Sequence, residues 1–370
     1  MVTAEQRPVI LTQPQSDEKL RALLAKSEQR FVTASVSGWT ALAEREADLA
    51  GYHAAVERGT LEDDDAFAEA LAALPEETLA RAWVDVAGLS AGLGTALEQS
   101  GQDFDIGLAW LSAALSTEED GLRLSLSMRT PDGGGTSYEP KLFGQVPADA
   151  VAALSFGGTQ DLVDRLQGRI DLEKVSSGLE GMLGVSLDGI LDALTGEGVL
   201  YVREGETMPE VTLALAPPDP AKTRATVAEL VGKLAEQTGA TVETVTEDGI
   251  EVRRLRTEDF TLSSAAPDRE TVLVTTGPDA IRLFRGSGSK LAESDAFERA
   301  AAGVELEDRT SGFAYVDLDG LVPLLEGLAG GDRLPAEARQ ALESLDSFVL
   351  QSEGSGDTSH VSGFVRIADR

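Results

Sequence analysis

The chain has 370 residues, with 64 Asp and Glu against 31 Lys and Arg, two His, no Cys and a formal net charge of −33. Without Cys it can hold no disulfide framework, iron–sulfur cluster or thiol nucleophile, and two His at opposite ends argue against a His-rich metal centre. The negative balance opposes phosphate-mediated nucleic-acid binding, while 42% hydrophobic against 26% charged residues marks a folded chain rather than a disordered one.

In chain order, alternation and β-branched content predict strands at Val9–Thr12, Phe31–Ser35, Leu79–Val86, Leu122–Met128, Val151–Phe156, Val199–Val202 and Val211–Leu215. They continue at Thr241–Val245, Ile250–Leu255, Val272–Thr276, Gly312–Asp317, Ser347–Gln351 and Val361–Ile367. Helical spacing and start signals predict helices at Lys19–Ser27 after Asp17, Trp39–Arg58 after Ser37, Lys222–Gln237 after Asp219-Pro220, and Ala280–Arg285 after Gly277-Pro278-Asp279. Glu247-Asp248-Gly249 reads as a tight hairpin turn, and Thr130–Pro140, with its Asp132-Gly133-Gly134-Gly135 run, as a flexible connection. Strands mixed with helices and hairpins predict an α+β fold of mostly antiparallel sheet covered by amphipathic helices. No apolar run is long enough to span a bilayer, and Met1–Arg7 has no apolar core of a signal peptide. Of the 31 basic residues 24 are Arg, a bias read as compositional.

The chain also repeats itself. Leu61-Glu62-Asp63-Asp64-Asp65-Ala66-Phe67 matches Leu291-Ala292-Glu293-Ser294-Asp295-Ala296-Phe297, and Ala82-Trp83-Val84-Asp85-Val86 matches Ala314-Tyr315-Val316-Asp317-Leu318. Val9–Thr12 with Lys19–Ala22 matches Val211–Ala214 with Lys222–Ala225, and Phe31–Ser35 is aligned with Val272–Thr276. A second similarity, Leu74-Pro75-Glu76 with Val146-Pro147-Ala148, runs inside the halves. The pattern predicts duplicated modules. In module A an X-Pro-acidic turn leads into a strand, a helix and returning strands; module B is a strand, a helix and further strands. Residues 1–130 read as a first half reduced to B-A, 131–145 as a linker, and 146–370 as a full A-B-A half.

These blocks, with the closing Asp346-Ser347-Phe348-Val349 and Gly363-Phe364-Val365-Arg366-Ile367, resemble a bacterial domain-of-unknown-function family, number 3352. The resemblance covers nearly the whole chain, but through packing and turn signals rather than chemical ones. It implies an extracytoplasmic protein tethered by an N-terminal membrane segment or lipid anchor, without an established activity. The anchor and the first A module are expected to be missing here.

Chemical candidates are weak. Gly88-Leu89-Ser90-Ala91-Gly92 has the spacing of a nucleophile elbow, yet its counterpart has Val322 at the serine position, which favours a plain helix start. Asp317-Leu318-Asp319-Gly320 fails the calcium-loop pattern at Leu321 and Leu328, and Glu62–Asp65 reads as a solvated helix N-terminus. Gly286-Ser287-Gly288-Ser289-Lys290 lacks phosphate-loop spacing; His53 and His360 read as surface or partly packed residues, and Trp39, Trp83 and Trp110 as core. No catalytic, cofactor-binding or metal residue is assigned. The richest apolar stretch, Leu162–Leu194, contains Leu166, Ile170, Leu179, Met182, Leu183, Leu187, Ile190 and Leu191, which either close over a sheet or line a groove for an acyl chain or partner helix. The expectation is a non-enzymatic binding or scaffold protein of the cell envelope, its partner an envelope protein or a lipid. The alternative is a carrier of an apolar ligand in a sheet–helix cavity.

Overall fold

The computed structural model describes residues 8–14, 16–27, 30–36, 38–90, 107–131, 136–157, 187–206, 208–257, 260–328 and 336–368. The chain divides into two compact units, Met1–Ala72 and Ala73–Arg370. The fold is α+β, with antiparallel pairing at every strand contact among the described residues. None of the described helices is long and apolar enough to cross a membrane.

In the first unit β1 (Ile10–Thr12), β2 (Val32–Val36) and β3 (Trp39–Ala43) form a sheet of order β1-β3-β2. The chain also contributes α1 (Asp17–Leu24), α2 (Glu46–Val56), the 3₁₀ turn η1 (Leu61–Asp63) and α3 (Asp65–Ala72). Val9, Val36, Ala41, Ala43, Leu49 and Tyr52 make its core, as α2 packs on β2 and β3. The expected helix from Trp39 is therefore corrected: Trp39–Ala43 is a strand. Gly38, at φ 83, supplies the left-handed turn that lets Trp39 pair with Val36, and the helix begins only at Glu46. Trp39 is consequently 43% exposed rather than core. The helix predicted at Lys19 starts two residues earlier, at Asp17, and its cap is Ser16 rather than Asp17, with Ser16 Oγ accepting from Lys19 N–H at 3.3 Å.

The second unit holds a sheet of thirteen strands among the described residues. These are β4 (Ala80–Asp85), β5 (Trp110–Glu118), β6 (Gly121–Arg129), β7 (Ala150–Phe156), β8 (Glu197–Arg203), β9 (Glu210–Ala216), β10 (Thr241–Glu247), β11 (Ile250–Arg256), β12 (Thr261–Ala265), β13 (Val272–Thr275), β14 (Gly312–Asp317), β15 (Leu345–Ser355) and β16 (Thr358–Ile367). Their order is β10-β11-β12-β13-β9-β8-β7-β14-β15-β16-β6-β5-β4. The helical elements are η2 (Phe143–Gln145), α4 (Leu187–Leu194), α5 (Pro220–Thr238), α6 (Ala280–Arg285), η3 (Leu291–Glu293), α7 (Asp295–Ala302), α8 (Leu318–Leu328) and α9 (Ala336–Glu343).

Local chemistry sets these elements. Asp219 Oδ1 accepts from Ala221 and Lys222 N–H at 3.1 and 3.0 Å, Pro220 opens α5, and Gly239 closes it at φ 66. Between β10 and β11 Glu247 pairs with Ile250 across Asp248 (φ 49) and Gly249 (φ 79), the two positive φ angles of a type I′ turn. β5 and β12 were not predicted, because their buried positions carry Ser112, Ala114, Ser116, Ser263 and Ser264 rather than branched apolar residues. Ser112 sits directly opposite Ser127, and small side chains are what that crowded centre admits.

Some local arrangements occur twice. The order β9-β13-β12 repeats β1-β3-β2, and among the described residues only the second unit has a hairpin such as β10–β11. Structurally Trp39–Ala43, not Phe31–Ser35, is the counterpart of β13, so that alignment is one strand out of step. η1–α3 and η3–α7 have the same form, and each helix begins with the same cap: Asp64 Oδ1 accepts from Phe67 N–H at 3.0 Å, Ser294 Oγ from Phe297 N–H at 3.2 Å. Asp63 caps as well, its Oδ2 accepting from Thr60 N–H at 3.2 Å. The strand-to-helix turns after β4 and β14 match as well. Gly88 and Gly320 N–H donate to Asp85 and Asp317 Oδ1 at 2.8 and 3.2 Å, and a Cβ at either glycine would collide with that carboxylate. The Gly88-Leu89-Ser90 sequence is thus a capped helix start.

Residues expected within the connection are tied in. Tyr138 N–H donates to Thr310 O at 2.8 Å and receives Thr310 N–H at 3.0 Å, Tyr138 Oη meets Ser155 Oγ at 2.7 Å, and Phe143 is buried. Burial pushes the Tyr138 hydroxyl above its ordinary range. Nearby, burial also raises Glu197 above the usual carboxylate range, opposed by the Leu142 N–H it accepts and by Lys141. A carboxyl whose folded pKa is raised binds more protons folded than unfolded, so its share of stability falls as pH rises from the ordinary glutamate value through the raised one. The wild type minus Glu197→Gln difference in melting temperature is therefore expected to fall from pH 4.5 to pH 7. A flat difference would refute this contribution.

Candidate functional site

A recess lies around the β10–β11 hairpin, a cleft of about 800 Å³. The register places Thr244, Arg253 and Ser264 in one cross-strand row, so they share a face of the sheet. α5 packs against this region and brings Arg224, Val227 and Ala228; the β12–β13 loop brings Pro267, Asp268 and Arg269; α6 brings Arg285. A smaller recess of about 270 Å³ shares Asp248, Ile250 and Arg285 with it.

Four arginines in one cleft stand out in so acidic a chain. Arg224, Arg253, Arg269 and Arg285 are exposed, and none has an ion-pair partner among the described residues. Their neighbours differ. Arg254, on the opposite face of β11, pairs with Glu247 at 2.5 Å; Arg256 pairs with Glu243 at 3.4 Å, and Arg282 with Asp279 at 3.3 Å. One step of strand alternation separates a neutralised arginine from an available one. The cleft also contains Asp248, Glu251 and Asp268. Asp268 is committed to its own loop, accepting from Glu270 N–H at 2.8 Å, Thr271 N–H at 2.7 Å and Thr271 Oγ1 at 3.1 Å. Guanidinium groups offer paired, permanently charged donors that fit carboxylate and phosphate oxygens. The arrangement can hold an anion; it contains no His or Cys, and Ser264 is buried.

Of the residues proposed for an apolar surface, Leu166, Ile170, Leu179, Met182 and Leu183 lie outside the described residues. Leu187, Ile190 and Leu191 lie on α4, with Ile190 and Leu191 half-buried. α4 packs against α5, and Asp192 forms an ion pair with Lys222 across that contact. His53 is exposed on α2, His360 is half-buried in β16 opposite Ser127 and Glu353, and Trp110 is 2% exposed in the core. No group of three or more His, Asp or Glu among the described residues is placed to hold a metal ion. The arginine cleft was missed in the sequence because its members come from four separate elements and the arginine excess was read as compositional.

No protein-family model and no curated protein matches the chain. Among solved structures, crystal form IV of TP0453 aligns at 15% identity and a TM-score of 0.32, covering 60% of this chain and 92% of that one. Crystal form III aligns at 12% identity and 0.32, covering 62% and 94%, and crystal form I at 13% and 0.30, covering 59% and 74%. TM-scores this low do not establish a shared fold.

Proposed function

We propose that the chain is a non-enzymatic binding or scaffold protein working outside the cytoplasm at the cell envelope, and that its ligand presents a phosphate or carboxylate group to the arginine cleft. The observation that carries the binding role is the set of four exposed arginines that have no ion-pair partner among the described residues, around one 800 Å³ recess. Leaving guanidinium groups unneutralised in a chain with twice as many acids as bases keeps them available to an outside anion. The envelope location rests on the resemblance of the repeated blocks to family 3352. A phosphate could come from a lipid headgroup or from a free anion, and the test separates the two.

The measurement is binding of the full chain to inorganic phosphate by calorimetry, and to vesicles of phosphatidylglycerol or phosphatidylcholine by flotation. Arg253→Ala and Arg269→Ala, both at exposed positions, are expected to weaken binding about tenfold or more each, the size of a lost charge-assisted contact. Flotation with phosphatidylglycerol alone identifies a lipid headgroup, and calorimetric binding of phosphate a free anion. Binding to neither probe, or unchanged binding by both variants, overturns the reading.

A further inference from the structure

The large sheet ends at β10, and the arginine cleft opens onto that end. β10 pairs with β11 from Thr241 to Glu247 without a register shift. Across the two-residue turn Glu247 and Ile250 exchange both hydrogen bonds, so by alternation Val245, Glu243 and Thr241 also bond toward β11. The backbone N–H and C=O groups of Val242, Thr244 and Thr246 therefore point away from the sheet, and none of these groups has a partner among the described residues. The edge also lacks the devices that usually blunt one, for β10 carries no Lys, Pro or bulge. Its charges, Glu243 and Glu247, lie on the other face and are paired with Arg256 at 3.4 Å and Arg254 at 2.5 Å.

Thr244 is exposed, lines the cleft and sits directly opposite Arg253. A strand added along β10 would put its residue opposite Thr244 in the cross-strand row of Arg253, roughly 10 Å away at Cα, a gap that a glutamate and an arginine span together. Arg224, Arg269 and Arg285 line the same cleft, and none of the four has an ion-pair partner among the described residues. The row of Thr246 holds Glu251 instead, so an acid suits one position and not its neighbour on that face. We propose that β10 takes up an extended segment of a partner protein as an added strand, with an acidic side chain opposite Thr244 held by the cleft arginines. This rests on the anion-binding reading of the cleft and names what carries the anion, a peptide carboxylate. Main-chain bonds along the edge give affinity, and the arginines select the acid. The charge of −33 repels acidic runs at a distance, so the fitting segment has one acid among neutral residues. A second copy fits poorly: in antiparallel pairing only Val242, Thr244 and Thr246 of another β10 could fall in that row.

The probe is a fluorescein-labelled peptide, Thr-Val-Thr-Val-Glu-Val-Thr-Val-Thr, with binding to the full chain read by fluorescence anisotropy. Pairing about the glutamate turns its N–H and those of the threonines toward β10, and those of the valines outward. N-methylation of the glutamate and its two nearest threonines is expected to weaken binding about tenfold or more, through lost hydrogen bonds, and N-methylation of the valines to change it less than about twofold. Thr244→Pro removes an outward N–H and leaves the bonds to β11, so it is expected to weaken peptide binding likewise while leaving calorimetric phosphate binding intact. Glutamine for the peptide's glutamate, or Arg253→Ala, is expected to cost about tenfold. Equal binding of both methylated peptides, with Arg253→Ala still weakening peptide and phosphate, overturns the added strand and keeps the anion site. Arg253→Ala without effect on either probe overturns both. No binding of the parent peptide, or a dimer of the chain alone that Thr244→Pro dissolves, also overturns the proposal.

Discussion

Replacing Phe313 by alanine is expected to lower unfolding free energy by about 3–5 kcal/mol, the cost of deleting a fully buried aromatic side chain and leaving its cavity. Phe313 is 1% exposed. Its ring meets Phe143 edge-on at 4.5 Å and Phe297 at 6.2 Å; Phe143 and Phe297 are 4.8 Å apart, and Phe297 meets Tyr315 edge-on at 5.4 Å. The cluster joins η2, α7 and β14, so one deletion loosens three elements at once. Burial also keeps the Tyr315 hydroxyl above its ordinary range, neutral among these rings. Urea titration followed by fluorescence and circular dichroism measures the change, with Phe313→Leu as the control that keeps most of the volume. A loss below ~1.5 kcal/mol, the upper range for volume-conserving swaps, would show that the cluster does not hold the core.

Lys290→Met is expected to cost roughly 2–3 kcal/mol, more than an average exposed lysine by far. The Lys290 ammonium donates to the carbonyls of Gln145, Leu283 and Phe284 at 3.1, 3.1 and 3.2 Å, using all three hydrogens to close the end of α6 onto η2. Burial pulls its pKa below the usual lysine value, with Glu293 pulling the other way. Methionine keeps the stem but leaves three carbonyls without their donor. Lys290→Arg is expected to fail as a rescue, because a planar guanidinium does not converge on three carbonyls as an ammonium does. Thermal melting of the three proteins decides it; a methionine variant within 0.5 °C of the parent, roughly 0.3–0.4 kcal/mol at this size, would refute the role.

Much of the architecture was legible along the chain. Type I′ geometry at Asp248-Gly249, the Asp219-Pro220 start of α5 and the paired caps at Asp64 and Ser294 are local events, decided by side chains within three residues of the backbone they satisfy. Strands such as β9, β11 and β14 announced themselves because one face is apolar. The readings that changed share a cause. Trp39–Ala43 is helical by composition and β5 is too polar for a strand, and only pairing with β1 and β2, or with β4 and β6, makes them strands. The cleft arginines looked like any others, since Arg253 and Arg254 are adjacent in sequence and differ only in the face they occupy.

By itself, the amino-acid sequence determined the α+β class and the cysteine-free chemistry, for both follow from composition or from contacts among near neighbours. Sheet order, the junctions at β7–β14 and β16–β6, and the gathering of Arg224, Arg253, Arg269 and Arg285 were decided by tertiary structure alone. Those features bring together residues far apart in the chain. Nothing local records which strand edges will meet or which charges will be left without a partner, because both depend on how the whole sheet closes. The net charge of −33 is thus a sum that conceals a recess lined by four arginines with no ion-pair partner among the described residues.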